Sequence, residues 1–156
     1  TLLETREKRN YIKMREEEAM SKTYHIFISH SWKYSDAYEK LINLLDKADD
    51  FTYYDYSVPE DDPIEGAKTD AQLKAAIKEQ MAHASVVLIL AGVYSTYSKW
   101  INKEIELAQS GFIKPKPIIA IQPWGAEKTS VVVKTAADKI VGWNTNSIVN
   151  AIKLLG

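Results

Sequence analysis

Cysteine is absent from all 156 residues of the chain. That excludes disulfides, thiolate metal sites and thiol nucleophiles, and it fits a reducing compartment. Glycine is sparse, with 6 residues. None of them forms a glycine-rich dinucleotide fingerprint or the glycine-flanked serine of a nucleophile elbow, which disfavours a Rossmann dehydrogenase and a serine hydrolase. No charge of one sign dominates: 20 basic residues stand against 21 acidic ones, for a net charge of -1. Without a basic stripe there is no electrostatic footprint for nucleic acid or anionic lipid, so neither is an expected partner. The longest apolar run, Ala84 to Val93, is too short to span a bilayer, and the first twenty residues are charged rather than signal-like. A cytoplasmic location is expected. His25, His30 and His83 lack metal-ligand spacing, and Glu60-Asp61-Asp62 lacks the alternating ligands of a calcium loop, so no metal is expected.

What is present suits an ordinary folded domain. At 46% hydrophobic and 26% charged residues, a chain of this length buries roughly two-thirds of its unfolded surface. Residues 1–22 read as a charged helical extension with a thin apolar stripe, and residues 23–156 as one domain. Ile26-Phe27-Ile28 is a continuous apolar run, expected of a strand buried on both faces of a parallel sheet, and Ser85 to Leu90 is a second. Between them, Asp36 and Glu39 resemble a capping box that opens a helix carrying Leu41, Ile42 and Leu45. Phe51 to Val58 reads as an aromatic strand feeding a long acidic loop, Pro59 to Lys68, and Thr69 with Gln72 opens a second helix. A third helix starts near Ser98 with Ile101, Ile105 and Ala108 inward. It is followed by strands at Ile118 to Ile121 and Lys139 to Val141, and a last helix from Ser147. This alternation predicts an α/β, flavodoxin-like, doubly wound parallel sheet of five strands in the order 2-1-3-4-5.

In such sheets ligands bind beyond the carboxyl ends of the strands. Ser29, His30, Ser31 and Trp32 follow the first strand, where hydroxyls and amides before a helix start make either a phosphate or ribose cradle or a set of turn hydrogen bonds. Asp55 closes the second strand within reach of the same region, and Trp124 lies in the turn after the fourth. A receiver-type phosphoaspartate site fits poorly, because no acidic pair follows the first strand and the third ends in Leu90-Ala91-Gly92. Trp100-x-x-x-Glu104 places two side chains on adjoining helical turns. Partial desolvation beside the Ile101/Ile105 stripe would raise the Glu104 pKa, but pattern alone favours an ordinary solvated glutamate, with Trp100 as packing.

Taken together, Tyr24-His25-Ile26-Phe27-Ile28-Ser29-His30-Ser31-Trp32, the Trp100-x-x-x-Glu104 helix and the Pro117 to Gly125 segment resemble the TIR-like domain family over Thr23 to Gly156. More narrowly, Lys116-Pro117-Ile118-Ile119, Pro123-Trp124-Gly125 and Ile140-Val141-Gly142-Trp143-Asn144 resemble bacterial and archaeal members that include the NAD-processing subunit of Thoeris anti-phage systems. The resemblance implies cleavage of the nicotinamide-ribose bond of NAD, in some members with formation of a cyclic or conjugated ADP-ribose signal. By the same resemblance Glu104 is the catalytic residue and Ser29, His30 and Trp32 line the nucleotide site, with Trp100 or Trp124 offering an aromatic face; Ser31 and Asp55 join them as candidates from their positions at strand ends. NAD is then substrate and no separate cofactor is implied, while contacts between TIR-like copies are the implied assembly. The alternative on the same fold is a non-catalytic interaction or nucleotide-sensing module.

Overall fold

The apolar runs become the inner strands of a five-stranded, all-parallel sheet of order 2-1-3-4-5 in the computed structural model, which describes residues 1–29, 35–57, 69–92, 99–122 and 129–156. His30, Ser31, Trp32 and Trp124, together with the acidic loop from Pro59 to Lys68, lie outside the described residues, as does the side chain of Trp100. The elements in chain order are α1 (Leu2–Ser21), β1 (Thr23–Ser29), α2 (Ser35–Asp46), β2 (Thr52–Asp55), α3 (Asp70–Met81), β3 (Val86–Leu90), α4 (Lys99–Ser110), β4 (Ile118–Ile121), α5 (Val131–Ala136), β5 (Lys139–Val141) and α6 (Thr145–Leu155). No helix among the described residues is long and apolar enough to cross a membrane.

The strand order dictates which helix covers which face. The chain moves outward from β1 to β2, then returns past β1 to β3, so right-handed crossovers place α2 on one face and α3 on the other. Strand side chains alternate accordingly. Phe27, Val87 and Ile89 meet Ile77 and Met81 of α3, Ile101, Ile105 and Ala108 of α4, and Val133 of α5. On the opposite face, Ile26, Ile28 and Leu88 meet Leu41 and Leu45 of α2 and Ile148 and Ile152 of α6. Every one of these apolar side chains but Ile105 is at most 1% exposed. Each large one that is fully buried contributes about 1.5–3 kcal/mol relative to exposure, so burial on both faces makes the core substantial. By contrast Leu2, Leu3, Tyr11, Ile12 and Met14 of α1 are all exposed, so these side chains take no part in either core layer.

Local chemistry sets the helix ends, and here sequence and structure part in detail. Thr69 caps α3 through the expected reciprocal pair, its hydroxyl accepting from the Gln72 amide while the Gln72 side chain accepts from the Thr69 amide. Asp36 instead falls inside the first turn of α2, which already runs from Ser35. The last helix starts before Ser147, because the Asn144 carboxamide accepts from the Ser147 amide at 2.8 Å and draws Thr145 and Asn146 into the first turn. β2 is shorter than Phe51 to Val58: Asp55 accepts from the Ser57 amide at 2.8 Å, which turns the chain out of the strand. α5 is absent from the elements expected from sequence. Its Val131-Val132-Val133 run has strand composition, yet the Ser130 hydroxyl caps the Val133 amide and starts a helix.

Asp138 registers the two last strands. Its carboxylate accepts from the Ile118 amide at 2.7 Å and its own amide donates to the Ile118 carbonyl at 2.8 Å. Replacing Asp138 with Ala leaves the Ile118 amide unpaired at a partly buried position, which should cost about 1–2 kcal/mol. In a chain of this size that lowers Tm by about 2–8 °C in a calorimetric scan. A variant melting with the parent would show that the pairing adds nothing.

Candidate active site

Ser29 is the last residue of β1 and lies level with Ile89 of β3. These two strands are neighbours in the sheet but not in sequence, and the chain winds outward from them in opposite directions. Their carboxyl ends therefore form the topological switch point at which doubly wound sheets bind ligands. Ser29 alternates with Phe27 and so faces the layer containing α4. Its side chain is 0% exposed.

Glu104 comes to the same layer from the sixth position of α4. Residues 101, 104, 105 and 108 recur at helical spacing on one side of α4, and all four are buried. Glu104 is only 6% exposed, the one charged residue among the buried polar side chains of the described residues. The solvated glutamate favoured by pattern alone is thereby corrected: the stripe that buries Ile101, Ile105 and Ala108 takes Glu104 with it. Burial strips water from the charged form and pushes its carboxyl from 4.5 up to about 8, with the Ser29 hydroxyl pulling the other way as the smaller influence. Ser29 therefore stands close enough to act on the carboxyl as a weak donor, yet the contact falls short of full hydrogen-bond geometry, and Ser29 Oγ and Glu104 Oε2 are left without a well-formed partner among the described residues.

The end of β3 is held in place beside this pair. Ala91 accepts a backbone hydrogen bond from Ser130 at 2.7 Å, and Gly92 forms an isolated antiparallel bridge with Thr129. These contacts fix the chain entering α5 against the strand that leads to α4. Sequence spacing carries no sign of them.

Asp55 is placed apart from Glu104. It pairs in register with Ile26, three residues short of Ser29, and its side chain turns to the α2 face. There its carboxylate accepts from the Tyr38 hydroxyl at 2.5 Å and from the Ser57 hydroxyl at 2.7 Å, in addition to the Ser57 amide. Burial and the Asp55 contact together push the Tyr38 phenol up to about 12. Tyr38, Ile42, Tyr53 and Asp55 line an open depression of about 510 Å³ on this side. The described site residues thus divide in two: Ser29 and Glu104 converge with unpartnered polar atoms, while Asp55 already accepts three hydrogen bonds on the opposite face. Among the described residues no group of three or more His, Asp or Glu side chains is placed to hold a metal.

A buried carboxyl that changes charge near neutral pH at a strand-end crevice can accept a proton, release one, or face a positive charge. Comparison with known families gives this geometry a context. Residues 27–128, well over half of the chain, match the family described as Thoeris protein ThsB, TIR-like domain. The matched span includes β1 with Ser29 and α4 with Glu104. A search of curated proteins finds no match.

Proposed function

The chain belongs to the TIR-like domain family of the Thoeris protein ThsB, and from that premise we propose that it cleaves NAD at the bond between nicotinamide and ribose, as part of anti-phage defence. The observation that carries this reading is the buried Ser29 and Glu104 pair, whose hydroxyl and carboxylate oxygen are both without hydrogen-bond partners among the described residues. Leaving a buried polar group unpartnered costs about 1–3 kcal/mol, so folded proteins keep few such groups, and those they keep call for an explanation. Waiting for a polar ligand is one that the switch-point position supports.

The chemistry suits the residue types. As the glycosidic bond breaks, nicotinamide leaves as a neutral molecule and positive charge develops on the ribose. An ionised Glu104 opposite that charge stabilises the transition state more than the ground state, and the same carboxylate can accept from a ribose hydroxyl. The Ser29 hydroxyl would position the ribose. His30, Ser31, Trp32, Trp100 and Trp124 are proposed to complete the nucleotide site, the tryptophans by offering aromatic faces to the rings. Capture of the ribosyl cation by water gives ADP-ribose, and capture by a nucleophile of the substrate itself gives a cyclic product.

The test is to incubate purified protein with NAD and resolve the products by mass. It should be run over a range of protein concentrations, because further copies of the chain are the partners proposed to close the site. Free nicotinamide with an equimolar ADP-ribose species is the expected result. Full recovery of NAD at every concentration, including in the presence of infected-cell lysate, would overturn it.

A further inference from the structure

We propose that the Glu104 site selects its ligand by the charge of the departing ring, holding a proton on the carboxyl while empty and releasing it to solvent when a cationic ring enters. This rests on the NAD-cleaving reading of the site, which already requires the oxidised, cationic ring, and adds to it the release of a proton when that ring binds.

Geometry carries the inference. Glu104 is 6% exposed, its Oε2 has no hydrogen-bond partner among the described residues, and the neighbour that acts on it is an uncharged hydroxyl. Among the described residues, the charged side chains on surrounding elements are engaged or exposed elsewhere. Lys74 of α3 pairs with Glu106 at 2.6 Å, Lys78 of α3 lies over the Phe112 ring at 5.6 Å, and Lys134 of α5 is exposed. On the α4 side of β1 the residues are His25, which contacts Tyr56, then Phe27 and Ser29; β3 and β4 are wholly apolar. On α4 itself, Lys103 acts on Glu106.

A lone carboxylate in such surroundings is strongly penalised, so the empty site keeps the neutral form, in agreement with a carboxyl pushed up to about 8. A positive charge brought within about 4–6 Å reverses that preference. The carboxylic acid plus the cation gives a carboxylate-cation pair, and one proton passes to the buffer. A neutral dihydronicotinamide ring offers no such exchange. It enters a site that stays protonated and meets no carboxylate.

The experiment is calorimetric titration of the whole chain at pH 7 with a carbocyclic NAD analogue, which keeps the ring cation but cannot lose nicotinamide, and with NADH. Each is repeated in buffers of different ionisation enthalpy. Close to one proton should be released per analogue bound and none per NADH, and the association constant of the analogue should rise about tenfold per pH unit from pH 6 to 8 and then level off. In parallel, the infrared carbonyl band of a protonated carboxyl should be present in the empty protein at pH 7, missing from Glu104→Gln, and lost when the analogue is added. Binding and NAD turnover without proton release, or the same release with NADH, would overturn this inference and leave the NAD-cleaving reading standing. Failure to bind or turn over either nucleotide would overturn both.

Discussion

Replacing Glu104 with Gln should reduce nicotinamide release by about a thousandfold or more while the protein remains folded. The substitution keeps the shape of a buried side chain on the same helix stripe as Ile101, Ile105 and Ala108, and removes only the ability to become negative. Removing one preorganised electrostatic contact to a developing charge typically costs a factor of about 10²–10³ in rate. Glu104 would supply both the countercharge and a hydroxyl acceptor, so the upper end or beyond is expected. Circular dichroism and thermal melting show whether the fold is kept, and a discontinuous nicotinamide assay reads the rate. A well-folded Gln variant turning over within a few-fold of the parent would remove Glu104 from catalysis. Asp55 makes the internal comparison. Its carboxylate is committed to Tyr38 and Ser57 on the other face, so Asp55→Asn should affect the packing of β2 against α2 far more than the chemical step.

The parts of the fold that were legible are those where a single physical signal decided the outcome. Ile26-Phe27-Ile28 and Val86 to Leu90 are continuous apolar runs that only an interior parallel strand accommodates, and their alternation with amphipathic helices leads directly to the order 2-1-3-4-5. Thr69 with Gln72 carries its own capping geometry and was readable to the residue. Where two signals compete, no element is expected from the sequence. Val131 to Val133 favours a strand by composition, and a single serine cap reverses it.

Glu104 is the instructive case. Its residue type argues for exposure and its spacing for burial, since steps of three and four from Ile101 fall on Glu104 and Ile105. The spacing prevails because the neighbouring aliphatic side chains, fully buried at Ile101 and Ala108, fix the rotation of α4. Asp55 shows the opposite limit. Position at a strand end marked it as a candidate, but the Tyr38 and Ser57 contacts that occupy its carboxylate depend on which face α2 covers. No local pattern records that.

Stability should fall as pH rises through the neutral range, and Glu104→Gln should remove most of that fall. Glu104 has its carboxyl pushed from 4.5 up to about 8 in the folded state, so between those values the native protein binds a proton that the unfolded chain has lost. The unfolding free energy changes with pH in proportion to protons bound by the unfolded state minus those bound by the native state, which here is negative. Below about pH 4.5 both states hold the proton and the residue imposes no electrostatic penalty. From there to about pH 8 the penalty grows, and above it the penalty is complete. Holding a carboxyl one pH unit above its ordinary value corresponds to about 1.4 kcal/mol, so the ceiling here is about 5 kcal/mol, a large share of the roughly 5–15 kcal/mol that holds a domain together. The Gln variant carries no titratable group at this position. Denaturant midpoints measured for both proteins from pH 5 to 9 should therefore diverge, with the variant gaining on the parent by several kcal/mol at the alkaline end. Parallel curves would mean that Glu104 ionises freely in the folded protein, and that its buried carboxyl is solvated by a route other than Ser29.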